Sequence, residues 1–264
     1  MARRRLDAEL VHRGLARSRE QARDLVEAGR VLLGGVTATK PATQVDPDAS
    51  IAVRETPEGP DYVSRGAHKL VGALDAFAVD VAGRSALDAG ASTGGFTDVL
   101  LRRGIAAVLA VDVGYGQLAW PIRSDARVSV LERTNVRDLT VEMLPFRPDL
   151  VVGDLSFISL ALVVPPLVRV ATDDADLVLM VKPQFEVGKE LVGAGGVVRD
   201  PALRSDAVRK IAASAYDLGV GTVGVVASPL PGPSGNVEYF LHLRRGADPL
   251  HDADLDRAIE EGPQ

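Results

Sequence analysis

The sequence contains no cysteine among its 264 residues. Disulfide bonds, thiolate metal sites, a cysteine nucleophile and iron–sulfur radical chemistry are therefore excluded. Long apolar runs are also missing. The longest candidate, Phe157 to Val168, is interrupted by Pro165 and Pro166, whereas a membrane-spanning helix needs about 20 apolar residues. The first arginines are not followed by the apolar segment of a signal peptide. We therefore expect a soluble, cytoplasmic protein.

Acidic residues outnumber basic residues over the whole chain, which has a formal net charge of −6, but positive charge is concentrated at one end. Residues 1–30 contain eight arginines against five acidic residues. A hydrophobic content of 46% is enough for a substantial core. The length predicts one large domain, or a large domain with a small one.

Residues 6–14 predict a short helix that ends at Gly14, and a second helix follows with a capping box. Ser18 is the N-cap, Gln21 lies three residues on, and Gly29 follows the end of the helix. The runs VLLGG and SIAVRE then predict two short strands. These elements form a compact unit of roughly 55–60 residues.

The segments LDAELVHRGLARSREQARDLVEAGRVLLGG and KPATQV resemble the S-four domain, an RNA-binding module. The other interpretation of the arginines is a solvated, charged helix face. In the S-four module two helices present basic side chains to structured RNA. Phosphate contacts of this kind make affinity fall as salt rises. The resemblance implies RNA contacts from seven residues: Arg3, Arg4, Arg5, Arg17, Arg19, Arg23 and Lys40.

Beyond a segment rich in proline, glycine and acid at 55–63, strand and helix patterns alternate, which predicts a mostly parallel sheet. The link SPLPGPSG between the last two strands is too short for a crossover helix, so these strands should pair antiparallel. Strands are predicted near 86–89, 107–112, 128–132, 150–154, 176–182, 221–227 and 237–243. Helices are predicted at about 66–78, 97–103, 157–170 and 201–218.

A lysine ends one of these strands, in the stretch DLVLMVKPQF. Leu177 to Val181 predict a fully buried strand, and Pro183 stops it. Lys182 then lies at the carboxyl end of the strand, where open α/β sheets bind ligands. Taken alone, Lys182 is also compatible with a lysine whose stem covers the sheet while its ammonium reaches water.

The stretch ALDAGASTGGFTDVLL places glycines between a strand and an amphipathic helix, so that the backbone can approach a ligand closely. It matches neither the dinucleotide fingerprint nor a phosphate-binding loop. Asp112 ends the next strand, 22 positions after Gly90, where an acid accepts hydrogen bonds from ribose hydroxyls. A nicotinamide enzyme would use the same arrangement.

Asp88, Gly90 and Asp112, together with the seven strands, resemble a class I S-adenosylmethionine-dependent methyltransferase. The resemblance implies S-adenosyl-L-methionine as cofactor. Asn135 is a candidate to approach the adenine, and its other interpretation is an ordinary turn asparagine. The implied cofactor-binding set is Asp88, Gly90, Ser92, Gly94, Phe96, Asp112, Asn135 and Asp154.

The group that receives the methyl is indicated by polar residues near strand ends. An Asn/Asp-Pro-Pro-aromatic motif of amino-methylating enzymes is missing after the fourth strand, which ends in LVVGDLSF. The order Lys69, Asp154, Lys182 and Glu238 is similar to the catalytic tetrad of FtsJ-like ribose 2′-O-methyltransferases. A lysine can take the proton of a ribose hydroxyl only when burial or another cation disfavours its charged form.

The motifs VSRGAHKL, DAGASTGGFT, DVGYGQL, DLSFISL, VKPQFEVGK and PLPGPSGNVEYF extend the resemblance to almost the whole chain, which is identified as a member of the TlyA family. The family implies an α/β fold: a class I (Rossmann-like) methyltransferase with a seven-stranded, mostly parallel sheet, preceded by a small α+β S-four-like domain. The expected division is an RNA-binding domain at 1–58, a linker at 59–64, the methyltransferase at 65–246 and a C-terminal tail at 247–264.

The implied activity is methylation of the ribose 2′-hydroxyl of cytidine in ribosomal RNA of the small or large subunit, or both. The expected partners are ribosomal RNA and ribosomal subunits, with no metal, no membrane and no obligate protein partner. Two rival hypotheses are a membrane-lytic, haemolysin-type protein and a non-catalytic RNA-binding ribosome assembly factor. The first predicts a long apolar or basic amphipathic segment.

The chain departs from the family in its linker. The family commonly has Arg-x-Trp-Val, and this chain has Pro60-Asp61-Tyr62-Val63. Tyrosine preserves an aromatic contact, whereas Pro60 and Asp61 change the stiffness and charge of the linker. Trp120, the only tryptophan, is expected to be a packing residue.

Overall fold

The structure is a computed structural model that describes residues 3–16, 18–54, 62–232 and 234–262. The chain divides into two compact units, Met1–Asp61 and Tyr62–Gln264. Each unit has its own cluster of buried apolar side chains. Within the described ranges, no helix is both long enough and apolar enough to cross a membrane.

The first unit contains two helices and two small sheets. The predicted N-cap Ser18 is confirmed: the Gln21 N–H donates to Ser18 Oγ at 3.1 Å, and Ala22, Leu25 and Val26 are buried on one face. The elements are β1 (Arg4–Arg5), α1 (Leu6–His12), α2 (Arg19–Glu27), β2 (Val31–Leu33), β3 (Val36–Thr37), β4 (Gln44–Val45) and β5 (Ile51–Val53). The strand order is β3-β2-β5 in one sheet and β1-β4 in the other.

The two predicted strands of this unit, β2 and β5, pair antiparallel as its central ladder. The strands β1, β3 and β4 were not predicted, because each is only two residues long and carries no alternating pattern.

The second unit is a seven-stranded sheet with helices on both faces. Its helices are α3 (Gly66–Ala76), α4 (Gly95–Arg102), α5 (Trp120–Arg123), α6 (Val164–Val170), α7 (Pro201–Tyr216) and α8 (Asp252–Glu261). Its strands are β6 (Ser85–Ala89), β7 (Ala107–Val111), β8 (Val128–Leu131), β9 (Leu150–Gly153), β10 (Asp176–Val181), β11 (Val220–Ala227) and β12 (Tyr239–Arg245).

The strand order β11-β12-β10-β9-β6-β7-β8 explains which strands are fully buried. The interior strand β10 pairs parallel with β9 and antiparallel with β12, and all six of its residues are buried. Among the described strands of this sheet, only the pairs that include β12 are antiparallel. The predicted fold class, an α/β unit with seven strands and an antiparallel last pair, is confirmed.

The two faces of the sheet carry separate halves of the core. On β6, Leu87 and Ala89 face the side covered by α6, α7 and α8, whereas Ala86 faces the side covered by α3, α4 and α5. This alternation has the period of two that a strand buried on both faces requires.

One predicted boundary is wrong. The helix expected at 157–170 begins only at Val164, because Pro165 and Pro166 lack N–H groups and are tolerated in the first turn of a helix. The expected tail at 247–264 contains α8, whose Leu255 and Ala258 are buried against the core.

Candidate active site

The predicted site residues of the second unit lie at strand ends that meet at one edge of the sheet. β6, β9 and β10 are parallel, so the glycine loop, Asp154 and Lys182 leave the sheet at the same edge. Val181 pairs with Tyr239 in the antiparallel β10–β12 ladder. Glu238, the residue before Tyr239, therefore reaches the same edge from the opposite chain direction.

Lys182 and Asp154 form the first of two ion pairs. Lys182 Nζ lies 2.6 Å from Asp154 Oδ1 and donates a hydrogen bond to Ser156 Oγ at 2.8 Å. The Lys182 side chain is 10% exposed and that of Asp154 is 25% exposed. The pair is therefore held in place while one side stays open to solvent.

Lys69 and Glu238 form the second ion pair. Lys69 Nζ lies 2.5 Å from Glu238 Oε2, and both side chains are buried. Helix α3 lies close to both pairs. Gly66, at its start, is near Asp154, since a Cβ built on Gly66 would lie 3.8 Å from Asp154 Oδ2. Lys69 follows one turn later in the same helix. The four predicted residues are thus brought to one edge as two ion pairs.

The glycine loop is shaped by left-handed backbone. Gly90 has φ +84°, and a Cβ there would lie 2.9 Å from the Asp154 carbonyl oxygen, so only glycine fits without a shift of the chain. Ser92 also has positive φ, at +46°, although it carries a side chain. Its N–H donates to Asp112 Oδ2 at 2.8 Å, and the Gly114 N–H donates to Asp112 Oδ1 at 2.7 Å.

Asp112 is therefore fixed by two backbone donors, and each carboxylate oxygen keeps a further lone pair. It lies in a pocket beside the glycine loop. The pocket is lined by Ala91, Ser92, Ala110, Asp112, Gly114, Gln117, Leu118, Val130 and Glu132. Gln117 and Glu132 were missed by the sequence analysis, because a polar residue in a loop carries no spacing signal of its own.

Asp88 and Phe96 support this loop from within the protein. Asp88 is fully buried, and Thr97 Oγ1 donates to its Oδ2 at 2.7 Å. Burial raises the pKa of the Asp88 carboxyl to about 7, and the nearby Asp154 charge adds to the rise. The Phe96 ring packs in the core, 6.1 Å from the ring of Phe240. The Phe96 side chain therefore faces the core and does not line the pocket.

Gly94 and Asn135 begin helical turns. Gly94, with φ +94°, is the N-cap of α4. A Cβ added at this position would lie only 2.8 Å from the Leu118 side chain. Asn135 Oδ1 accepts a hydrogen bond from the Arg137 N–H at 3.1 Å and caps a 3₁₀ turn. This geometry favours the turn interpretation of Asn135, and an adenine contact stays a prediction.

Trp120 was expected to be a packing residue, and this expectation is wrong. The residue is 75% exposed. It begins the four-residue helix α5, in which Ile122 occupies the buried position.

Glu186 was not predicted, and it joins the loops that follow β9 and β10. Its Oε2 accepts from Ser159 Oγ at 2.5 Å, and its Oε1 accepts from the Leu160 N–H at 2.8 Å. Burial raises the pKa of the Glu186 carboxyl. The rings of Phe157 and Phe185 also bridge the two loops at 5.1 Å, and Phe157 is 91% exposed. The bridge thus connects the segments that carry Asp154 and Lys182.

The aromatic residue of the linker makes contacts within the second unit. The Tyr62 ring lies edge-on to His68 at 5.3 Å, and the Arg102 guanidinium stands 4.5 Å above it. Pro60 and Asp61 lie outside the described residues.

The predicted RNA-binding residues of the first unit are organised by acidic partners. Arg5, Arg19 and Arg23 all approach Asp7. Two more basic residues pair elsewhere: Arg4 lies 3.4 Å from Glu9, and Arg3 lies 2.9 Å from Asp46. Lys40 is exposed, and Arg17 lies outside the described residues.

Comparison with known proteins agrees with both units. The FtsJ-like methyltransferase family matches residues 62–245, and the S4 domain family matches residues 4–51. The 16S/23S rRNA (cytidine-2′-O)-methyltransferase TlyA of Mycobacterium tuberculosis is 63% identical over 270 residues, with 100% of both chains covered. Hemolysin A of Brachyspira hyodysenteriae is 37% identical and covers 90% of this chain and 99% of its own.

A solved structure has the same architecture over nearly the full chain. It is that of a protein described as a hemolysin from Streptococcus thermophilus, with a TM-score of 0.78 and 37% identity, covering 99% of this chain and 96% of its own. With the tetrad and glycine loop at one sheet edge, these matches show that the protein is a methyltransferase and that the chain belongs to the TlyA family.

Proposed function

We propose that the protein transfers a methyl group from S-adenosyl-L-methionine to the ribose 2′-hydroxyl of cytidine in structured ribosomal RNA of the small or large subunit, or both. The observation that carries the proposal is the pair of ion pairs, Lys182–Asp154 and Lys69–Glu238, beside the glycine loop. The name of the M. tuberculosis relative, which specifies cytidine 2′-O-methylation of 16S and 23S rRNA, supports the choice of nucleotide and atom.

The pocket residues fit S-adenosyl-L-methionine. Asp112 has lone pairs to accept hydrogen bonds from ribose hydroxyls, and its orientation is fixed by two backbone N–H groups. The backbone of Gly90, Ser92 and Gly94 would pass close to the bound molecule, and the buried Asp88 Oδ1 has no hydrogen-bond partner among the described residues. When bound, this cofactor supplies an electrophilic sulfonium methyl group.

Lys182 is assigned to the ribose hydroxyl. A neutral lysine amine has two N–H donors and one lone pair. Lys182 Nζ donates to Ser156 Oγ and lies 2.6 Å from Asp154 Oδ1, and these two contacts hold the nitrogen in place. In the neutral form of Lys182, the lone pair of Nζ can accept the hydroxyl proton.

Lys69 is assigned to the negative charge that develops on the ribose oxygen. The Lys69 side chain is buried and paired with Glu238, so its charged end is held in one position at the edge of the sheet where Lys182 lies. A charge preorganised in a site that excludes water stabilises a developing oxyanion more than it would in bulk water.

RNA binding is assigned to the first unit. We retain an RNA-binding domain at 1–58, a linker at 59–64 and a methyltransferase domain at 65–246, a division supported by the separate cores and by the ranges of the two family matches. In the segment 247–264, helix α8 packs on the core of the methyltransferase unit. The partner is ribosomal RNA within ribosomal subunits, and the proposed place of action is the cytoplasm.

The atom that is methylated can be tested by alkaline cleavage of treated ribosomal RNA. Alkali turns each 2′-hydroxyl into a nucleophile against its own 3′-phosphate, so a methylated oxygen leaves one gap in the ladder. Wild-type protein is expected to produce such gaps at cytidines. RNA that incorporates labelled methyl groups yet gives an unbroken ladder would contradict the proposal and indicate base methylation.

A pair of lysine variants tests the assignment of the base. Lys182→Ala should lower turnover by ~10²–10⁴, the usual contribution of a positioned general base, while cofactor binding stays near normal. Lys189→Ala removes the same charge from an exposed position in the following loop and should leave turnover near the wild-type value. Equal activity of the two variants would contradict the role of Lys182.

A further inference from the structure

Three arginines of the first unit converge on one buried carboxylate. Arg5 donates from Nε and Nη2 to Asp7 Oδ1 and Oδ2 at 3.1 and 2.8 Å. Arg19 Nη2 lies 3.2 Å from Asp7 Oδ2, and Arg23 Nε lies 3.7 Å from the same atom. The Asp7 side chain is 0% exposed, whereas those of the arginines are 41%, 54% and 53% exposed. We call these four residues the Asp7 cluster.

Separate parts of the unit build this cluster. Arg5 precedes α1, and Arg19 and Arg23 lie one turn apart on α2. The backbone of Asp7 is fixed by its own N–H, which donates to the Pro41 carbonyl oxygen at 2.9 Å. Hydrogen bonds from the arginines, Arg5 first, lower the pKa of the Asp7 carboxyl, so it is ionised at neutral pH.

The Asp7 cluster keeps excess positive charge and unused donors. Three guanidiniums and one carboxylate leave a charge of +2. A guanidinium has five N–H donors, and Arg5 uses two of them on Asp7. Among the described residues, the guanidiniums of Arg5 and Arg19 donate hydrogen bonds to Asp7 and to no other group, and the Arg23 guanidinium only approaches Asp7 at ion-pair distance.

The neighbouring acid Glu9 provides a contrast. Its partner Arg13 also donates to the carbonyl oxygens of Ala49 and Pro47, at 2.7 and 2.8 Å. Arg13 therefore serves to hold the fold of the unit. The side chains of the arginines in the Asp7 cluster are half exposed and, within the described ranges, donate to no backbone carbonyl, so their remaining donors are available to a ligand.

We infer that Asp7 is a positioning residue that holds Arg5, Arg19 and Arg23 as a preformed clamp for the phosphates of RNA. The inference rests on the proposed function, which supplies structured RNA as the substrate. Planar guanidiniums with several fixed donors match phosphate oxygens. Contacts of this type set the position of the RNA without reading its sequence.

Charge counting and preorganisation predict opposite effects of one substitution. Asp7→Asn makes the protein more positive by one charge, so long-range attraction alone predicts tighter RNA binding. If Asp7 positions the clamp, the same variant binds more weakly, because three flexible side chains must then be ordered by the RNA itself.

The experiment measures binding of a ribosomal RNA fragment to the full chain over a series of salt concentrations. Asp7→Asn is expected to weaken binding about tenfold or more and to reduce the salt slope by about one to two. Asp48→Asn is the matched control, since it makes the same charge change at an exposed acid of the same unit. It should bind as tightly as wild type or more tightly.

Turnover separates positioning from general damage. Asp7→Asn should raise the KM for RNA about tenfold while kcat stays within about twofold, with thermal melting used to show that the variant is folded. Binding by Asp7→Asn that equals or exceeds that of wild type would overturn the inference. Failure of the wild-type chain to bind ribosomal RNA would overturn the proposed function itself.

A second variant decides the matter if Asp7→Asn does not fold. Arg19→Lys keeps the charge but loses the planar fork that contacts Asp7. The clamp predicts about tenfold weaker RNA binding for this variant. Binding equal to that of wild type would show that charge alone is sufficient and would overturn the inference.

Discussion

Loss of the lysine should lower the stability of the fold by very different amounts in the two ion pairs. Within the described part of the chain, Lys69 is the one cation within 4.0 Å of Glu238, whose side chain is 1% exposed, and Lys69→Met removes it. Removing one partner of a buried ion pair leaves an uncompensated charge and costs about 3–5 kcal/mol. Lys182→Met leaves Asp154, which is 25% exposed and accessible to water. Its cost should be about 1 kcal/mol or less.

The double variant Lys69→Met/Glu238→Gln isolates the cause. With no ionised group left, the buried site is polar but uncharged, and most of the stability should return. At 2–4 °C per kcal/mol for a domain of this size, Lys69→Met should lower Tm by about 6–20 °C. The double variant should recover more than half of that loss.

Urea and thermal unfolding at pH 7, followed by circular dichroism, provide the measurement. The reasoning is refuted if Lys69→Met is as stable as Lys182→Met, or if the double variant is no more stable than Lys69→Met alone. Activity of Lys69 variants has to be measured on the folded fraction, because a loss of fold would otherwise be mistaken for a loss of catalysis.

Three further outcomes are expected. Burial raises the pKa of Asp88 in the folded state from 3.8 to about 7, so the wild-type protein loses stability as the pH rises from about 4 to about 7. Between pH 4 and pH 8, urea unfolding should therefore show that Asp88→Asn gains ~4 kcal/mol of stability relative to wild type. The same pH dependence of stability in both proteins would contradict this expectation. Glu186→Ala should lower kcat more than it lowers cofactor affinity. Glu186→Gln should keep most of the wild-type kcat, since an amide can still contact Ser159 and Leu160. Equal kinetics of the two variants would count against a positioning role. A fragment of residues 62–264 should remain folded and bind cofactor, as shown by calorimetry, but lose most RNA affinity; undiminished RNA binding by the fragment would refute the division of labour.

The sequence by itself determined the strands of the seven-stranded sheet and the class of the fold. Apolar runs bounded by glycine and proline located all seven strands of the sheet, and the short link before Glu238 required an antiparallel last pair. Ser18 and Gln21 predicted a helix start that the structure confirms. These features depend on neighbours within a few residues, so the local pattern is sufficient to predict them.

Only the tertiary structure decided how the charged residues pair. Lys69 and Glu238 are 169 positions apart, and their contact depends on the sheet order and on the β10–β12 register. The buried carboxylates Glu186 and Asp7 were not singled out, because a single acid in a loop or a short helix has no spacing signal. Likewise, the exposure of Trp120 and the packing of α8 depend on which surfaces the rest of the fold leaves uncovered. Burial is a property of the assembled core, so composition and local periodicity do not determine it.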